Sequence, residues 1–410
     1  MAPRRVRRAG PQRPRPRVRA PRARRVPAVA LHQLPERRSA GHGPRQRLPG
    51  AGVSAAAPRA GGRVVELVAE RSLDVVEREV PEPGPGEARV RIRAVGICGT
   101  DVHGYLGRSD RLPMTLGHDA VGIVDALGAD ADAEHGTADD VTPAVTVGDR
   151  VTIDPTVRCG VCGSCRAGLP QVCSGGGYLG MTATGTMADY LTVPVGNLVP
   201  VADGVSDVAA TVLEPIAVAL HLLDRVGAFS PPARIAHVIG GGPLGVLLGQ
   251  TLGVFGWAVT VHEPQAYRRI VAASAGLSVA EPGQVTPDSA PVLIVETSAT
   301  APGVQLARTL ATPGSTIGLV GRAPADFTSA EILLKELSVL GVRAGVGQYP
   351  AAIDLVARGL VTPLITVSHE FALDAASEAF AAVTDPAREV MRAVLLAEPT
   401  PERSTEGNTP

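Results

Sequence analysis

Residues 233–264 read ARIAHVIGGGPLGVLLGQTLGVFGWAVTVHEP. An apolar strand, a glycine turn, an apolar helix and a second apolar strand follow one another without interruption. Inside the turn, Gly240, Gly242 and Gly245 have the spacing GxGxxG. Such a turn is common in isolation, but here it follows a strand and opens a helix, as a dinucleotide-binding unit requires. Gly240 permits the tight turn, Gly242 lets the backbone approach a pyrophosphate at the helix N-terminus, and Gly245 lets helix and strand pack closely. Pro243 and Leu244 complete the turn. Glu263 ends the next strand, 23 residues after Gly240, where its carboxylate can accept hydrogen bonds from both ribose hydroxyls. Its charge would repel a 2′-phosphate, so NAD is favoured. Arg268 and Arg269 follow five and six residues later and leave NADP open.

The same character extends outward from this unit. EPIAVALHLLDRVG (214–227) has apolar residues at helical spacing, and VLIVETSA (292–299) and STIGLVG (315–321) are short apolar strands flanking a helical segment, 301–314. Strands buried on both faces and alternating with helices predict a parallel α/β sheet. Upstream, from about Arg63, the chain is strand-like and turn-rich: VVELVAE (64–70), ARVRIRAVGICGTD (88–101), AVGIVDALG (120–128) and VGDRVTI (147–153). In the second of these, Val90, Ile92 and Ala94 alternate with Arg89, Arg91 and Arg93, a period of two with one wet face. The acidic, patternless stretch 131–146 reads as a surface loop. After Gly347 come two helical segments, 349–360 and 374–383, and a closing strand, 391–397.

Four of the five cysteines, Cys159, Cys162, Cys165 and Cys173, lie in RCGVCGSCRAGLPQVC (158–173) with the spacing C-x2-C-x2-C-x7-C. Glycine turns between them let four thiolates converge on one ion, which makes a structural zinc site the preferred reading. Two disulfides in such short loops would be strained, and no other feature signals secretion. An iron–sulfur cluster is chemically possible, but nothing else here suggests electron transfer. A closed four-cysteine site has no open coordination position and is not where chemistry happens. The fifth thiol, Cys98, precedes Thr100, Asp101 and His103 and is followed by His118 and Asp119. A lone cysteine is ordinarily an inert small hydrophobe and a lone histidine a satisfied structural one. Together, thiol, imidazole and carboxylate form a donor set suited to an open zinc site, with Asp101 placed to orient an imidazole.

Charge is distributed unevenly. Residues 1–63 hold 17 Arg, no Lys and one acid, giving +16, so the remainder sums to −17 for a chain of net charge −1. An acidic body argues against nucleic acid as the main partner. The Arg- and Pro-rich stretch 1–62 is expected to be a disordered extension, as is the tail 397–410. No apolar run reaches the roughly 18 residues of a membrane span. A cytoplasmic location is expected.

With these elements placed, the chain strongly resembles the zinc-dependent medium-chain dehydrogenase/reductase family over about residues 63–396. The markers are PGPGEARVRIRAVGICGTDVH (83–103), GHDAVGIV (117–124), the four-cysteine lobe, GGGPLG (240–245), LLKELSVLG (333–341) and LITVSHEFAL (364–373). The resemblance implies a GroES-like β-rich catalytic domain, 63–213 with 348–396, and an inserted Rossmann domain, 214–347. It implies Cys98 and His118 as catalytic zinc ligands, with Thr100 and His103 relaying a substrate proton. No cysteine is left for a second thiolate ligand; LEPIAVALH (213–221) instead places Glu214 as in the polyol, threonine, butanediol and aminocyclitol dehydrogenases. Those members commonly read Gly-His-Glu; here Asp119 is shorter by roughly 1.5 Å, which leaves open whether Asp119 or Glu214 completes the zinc site.

The implied activity is reversible NAD-dependent oxidation of a secondary alcohol by a homodimer or homotetramer. Substrate-reading side chains are expected near Tyr105, Arg108 and Tyr178. The alternatives are a zinc-free quinone or enoyl reductase on the same fold, and a nucleic-acid-binding four-cysteine protein with a basic arm.

Overall fold

A computed structural model describes residues 61–109, 111–131, 145–284, 286–324 and 326–397. Residues 1–60 of the expected extension, nearly all of the 131–146 loop and the tail from 398 lie outside them.

The apolar strands of the central region form a six-stranded parallel sheet. Its order across the sheet is Ser278–Ala280, Ala258–His262, Ile235–Ile239, Leu293–Glu296, Thr316–Leu319 and Ser338–Gly341. The order reverses beside Ile235–Ile239, so the crevice outside the carboxyl ends of the strands opens at the glycine turn. Successive strand residues serve opposite faces. Val238, Val261 and Val295 pack with Leu222, Leu248 and Leu252 of the helices Leu213–Val226 and Pro243–Val254. Ile239, Ile294 and Ile317 pack with Ala307 and Leu310 of the helix Ala301–Leu310.

The turn is tight. Gly240 has φ +102°, and a Cβ added at Gly245 would stand 1.9 Å from the Gly240 carbonyl oxygen. Gly245→Ala must therefore push helix and turn apart. Its expected result is a loss of NADH affinity of roughly 5- to 150-fold in a fluorescence titration, since overpacking of this kind costs about 1–3 kcal/mol.

The remaining strands build an antiparallel-rich sheet in the order Leu198–Pro200, Arg150–Ile153, Asp119–Leu127, Glu87–Gly96, Ala393–Leu396 and His369–Ala372, with Tyr190–Pro194 also pairing to Glu87–Gly96. The late strand Ala393–Leu396 thus returns beside an early one, antiparallel to Glu87–Gly96. Val90, Ile92, Leu116, Ile153, Leu198 and Phe380 centre the core beneath.

One expectation about this sheet is corrected. The Arg89–Arg91–Arg93 face is not uniformly wet: Arg89 is 2% exposed. Its guanidinium is satisfied by Asp125 at 2.6 Å and Glu82 at 3.1 Å, so a charge at a strand position can be buried when carboxylates meet it. Tyr105 itself is a core residue, buried with its ring centroid 5.0 Å from that of Phe380.

Candidate active site and cofactor turn

Strand register brings the candidate donors together. Gly96 pairs with Asp119 across Glu87–Gly96 and Asp119–Leu127, so Cys98, two residues past one strand end, lies beside His118 at the start of the other. Cys98 caps the short helix Gly99–His103, which carries Thr100 and His103. One ligand atom from each of Cys98, His118 and Asp119 lies within 4.8 Å of the others. Asp101, buried beneath them, accepts the Cys98 amide at 2.8 Å and the Gly117 amide at 2.9 Å, tying the two strand ends together. Its carboxylate stands 3.7 Å from His118 Nδ1, on the ring's far side from Thr100 Oγ1, which is 3.2 Å from Nε2.

The charges around His118 ask for a cation. Burial alone lowers its basicity, but Asp119, Asp101 and Cys98 outweigh burial and raise its pKa well above the ordinary value. His118 Nδ1 and Asp119 Oδ1 are buried without a hydrogen-bond partner. A soft, anionic N/S/O cluster with orphaned donor atoms fits a bound zinc ion.

The two carboxylates have different partners. Asp119 Oδ2 is bound by Arg392, which also donates to the Thr211 carbonyl at 3.0 Å. Arg392 directly precedes Ala393–Leu396 and crosses Gly96 to reach Asp119; a Cβ at Gly96 would stand 2.1 Å from the guanidinium. Glu214 opens the helix Leu213–Val226 and accepts a hydrogen bond from the Tyr178 hydroxyl at 2.9 Å. It is not among the three clustered donors. Burial and the Asp119 charge push the Glu214 carboxyl up to about 7. The Tyr178 and His118 rings meet edge to face, centroids 5.5 Å apart. Sequence reading did not assign Arg392 a role, although an arginine against a fully apolar strand was a signal available in MRAVLLA (391–397).

The four-cysteine lobe is built from the short helix Gly163–Arg166 and flanking turns. Cys159, Cys162, Cys165 and Cys173 are all free thiols, with Cys173 Sγ 3.4 Å from Cys159 Sγ and 3.8 Å from Cys162 Sγ. A tetrahedron with zinc–sulfur arms of about 2.3 Å has edges of about 3.8 Å, so the thiols stand at zinc-binding separation. Amide donors at Cys165 and Ser174 bring the Cys162 thiol down to about 5.

At the cofactor turn, Glu263 is 3% exposed and its two oxygens accept the Gly241 amide at 2.7 Å and the Gln265 amide at 2.9 Å. The carboxylate is thereby fixed against the glycine turn. Pro243 starts the helix with Leu244 beside it, and Gly242 is the N-cap. Arg268 leans over the turn: its Nη1 lies 3.9 Å from where a Gly242 Cβ would be. Arg269 instead binds Glu281 at 2.6 Å and the Glu263 and Pro264 carbonyls. Backbone amides, an open glycine cradle and a held carboxylate fit a dinucleotide.

Comparison with known proteins settles the family. Residues 84–203 match the alcohol dehydrogenase GroES-like domain. The starvation-sensing protein RspB of Escherichia coli K12 is 31% identical over 314 residues, covering 73% of this chain and 88% of that protein. The chain belongs to the zinc-dependent medium-chain dehydrogenase/reductase family. The L-galactonate-5-dehydrogenase of Escherichia coli K12 is 27% identical over 347 residues, 80% of this chain and 98% of that one. The crystal structure of an alcohol dehydrogenase (rspB) of Escherichia coli CFT073 with NADH aligns with TM-score 0.71 and 27% identity, covering 82% of this dehydrogenase and all of that chain. This dehydrogenase is accordingly an oxidoreductase acting on CH–OH groups, with zinc and NAD(P) as cofactors. The zinc-free reductase and the nucleic-acid-binding alternatives are not favoured.

Proposed function

We propose that this dehydrogenase oxidises a secondary alcohol of a polyol, cyclitol or amino alcohol reversibly to the ketone. The proposal assigns residues 63–213 with 348–396 to the catalytic domain and 214–347 to the NAD-binding domain. The observation that carries it is the convergence of Cys98, His118 and Asp119 at the strand ends, with Thr100 Oγ1 3.2 Å from His118 Nε2.

Zinc held by Cys98, His118 and Asp119, with Glu214 nearby as a second carboxylate, supplies Lewis-acid polarisation that makes an alcohol hydroxyl more acidic. The Thr100 hydroxyl is placed to take up the proton as it leaves. His103, three residues along the same helix face, passes it toward solvent. Burial, Arg108 and Arg322 lower the His103 pKa, which keeps that imidazole neutral and able to accept a proton. NAD held at the glycine turn would supply the hydride acceptor. Gly240, Gly242, Pro243, Leu244, Gly245, Glu263 and Arg268 hold the dinucleotide in place; the Glu263 carboxylate favours NAD over NADP.

A homodimer or homotetramer and a cytoplasmic location complete the proposal. The edge strand Ser338–Gly341 and the strongly exposed Leu333 and Leu334 before it support self-association. Among the described residues no helix is long and apolar enough to cross a membrane.

The test is metal analysis together with a panel of secondary alcohols followed by NADH absorbance. Two zinc ions per chain and NADH formation with at least one polyol or amino alcohol are expected. A protein holding both zinc ions that oxidises no alcohol on the panel would sink the proposal.

A further inference from the structure

A cavity of about 270 Å³ opens beside Tyr178, between the four-cysteine lobe, the paired strands Thr156–Val157 and Gly177–Tyr178, and the segment that follows Ser338–Gly341. Arg111, Thr156, Gln171, Thr182 and Arg343 line it. Two guanidiniums therefore face one small polar cavity, and among the described residues neither has a carboxylate partner in an ion pair. Other arginines of the β-rich part behave differently: Arg158 binds Asp154 at 2.9 Å and Arg89 binds Asp125 and Glu82. Two like charges left unanswered in one cleft focus a positive field there and favour a bound anion.

The cavity adjoins the candidate active site through one side chain. Arg343 sits over the Tyr178 ring, 5.9 Å from its centroid, while the same ring packs edge to face with His118 and its hydroxyl meets Glu214. Arg111 is anchored to the same loop: its Nη1 donates to the Thr182 carbonyl at 3.1 Å, and Thr182 Oγ1 accepts the Tyr178 amide at 2.8 Å. Arg343 and His118 thus stand 5.9 Å and 5.5 Å from one and the same ring centroid. A five- or six-carbon chain, at roughly 1.5 Å per bond, has a length of that order.

We propose that Arg111 and Arg343 are specificity-determining residues that hold an oxyanion, carboxylate or phosphate monoester, at the end of the substrate remote from the oxidised carbon. This rests on the dehydrogenase reading above and narrows it: the substrate is an acidic polyol, not a neutral one. Arg343 comes from the segment after the parallel sheet and Arg111 from the β-rich part, so an anion between them also bridges the two walls of the cleft. Bidentate guanidinium contacts supply both the affinity and the alignment of the remote end.

The experiment is calorimetric titration of the zinc-loaded protein with NADH present, using matched hexonates, hexitols and hexitol phosphates, L-galactonate, galactitol and galactitol 1-phosphate among them. At least one acid class is expected to bind about 10- to 100-fold more tightly than its hexitol, the range expected for charge-assisted hydrogen bonds. Preference for the hexonate identifies a carboxylate and preference for the hexitol phosphate a phosphate monoester. Arg343→Gln and Arg111→Gln should each bring the acid-to-hexitol ratio toward one, and Arg343→Lys should restore part of it. Zinc content and NADH affinity serve as folding controls for each variant. Equal binding of acids and hexitols, no binding of any acid, or a preference that survives the double Gln variant overturns the anion site. Failure of the dehydrogenase reading would be separately visible, as tight acid binding without NADH formation from any alcohol.

Discussion

Cys98→Ala is expected to lower alcohol turnover by at least about 10³-fold while NADH affinity stays within about twofold of the wild type. The magnitude follows from the several kcal/mol of charge stabilisation that a Lewis acid supplies, at tenfold in rate per 1.4 kcal/mol. Cys98 contributes the only sulfur to the cluster with His118 and Asp119, because the remaining four thiols stand together in the lobe. Removing it leaves one imidazole, a carboxylate that Arg392 already engages, and Glu214, which lies outside the cluster and accepts from Tyr178. Such a set, without its sulfur and with both carboxylates engaged elsewhere, does not make a tight zinc site. Zinc content should therefore fall from two ions per chain to one, the lobe ion remaining. The cofactor turn lies on a different sheet and its carboxylate is held by local amides, so NADH binding has no reason to change. Retained turnover with one zinc lost would remove the cluster from the mechanism.

The parts of this molecule that were legible in the sequence are those whose geometry is set within a few residues. The glycine turn is one, since the position of Gly245 against the Gly240 carbonyl follows from a five-residue spacing. The lobe is another: four cysteines within fifteen residues can hardly avoid one another once glycine turns intervene. Cys98 and His118 are twenty residues apart, and their meeting depends on an antiparallel register that pairs Gly96 with Asp119. What could not be read locally is the partner of each buried charge. Asp119 and Arg392 are 273 residues apart and meet only because the last strand returns beside Glu87–Gly96. Tyr178 lies 36 residues from Glu214, on a strand too short to show any period. Tyr105 carried a polar handle in a loop-like stretch, yet packing against Phe380 decided its place. Arg89 went inward for a similar reason, because Asp125 on the adjacent strand and Glu82 in the segment before its own strand meet its guanidinium.

The pairing of Asp119 with Arg392 leads to the second large effect, on stability. Both side chains are almost completely buried, at 0% and 2% exposure. Arg392→Met removes one partner and leaves a carboxylate in a dry interior, where breaking a buried pair costs about 3–5 kcal/mol. Zinc offers Asp119 a second cationic partner, so the loss should be largest in metal-free protein and smaller in the loaded form. The expected result is a thermal midpoint that drops further below that of the wild type when both are stripped of zinc than when both are loaded. Adding Asp119→Asn to Arg392→Met removes the stranded charge and should recover a large part of the metal-free loss, which a merely steric role for the arginine would not allow. The comparison also bears on which carboxylate serves the metal. If zinc protects the Arg392→Met protein and the protection disappears with Asp119→Asn, Asp119 is the partner of the ion. If protection persists in the double variant and is lost with Glu214→Gln, the longer carboxylate on the helix Leu213–Val226 has taken that place. Equal destabilisation of loaded and stripped protein would mean that Asp119 answers only to Arg392 and contributes nothing to metal binding.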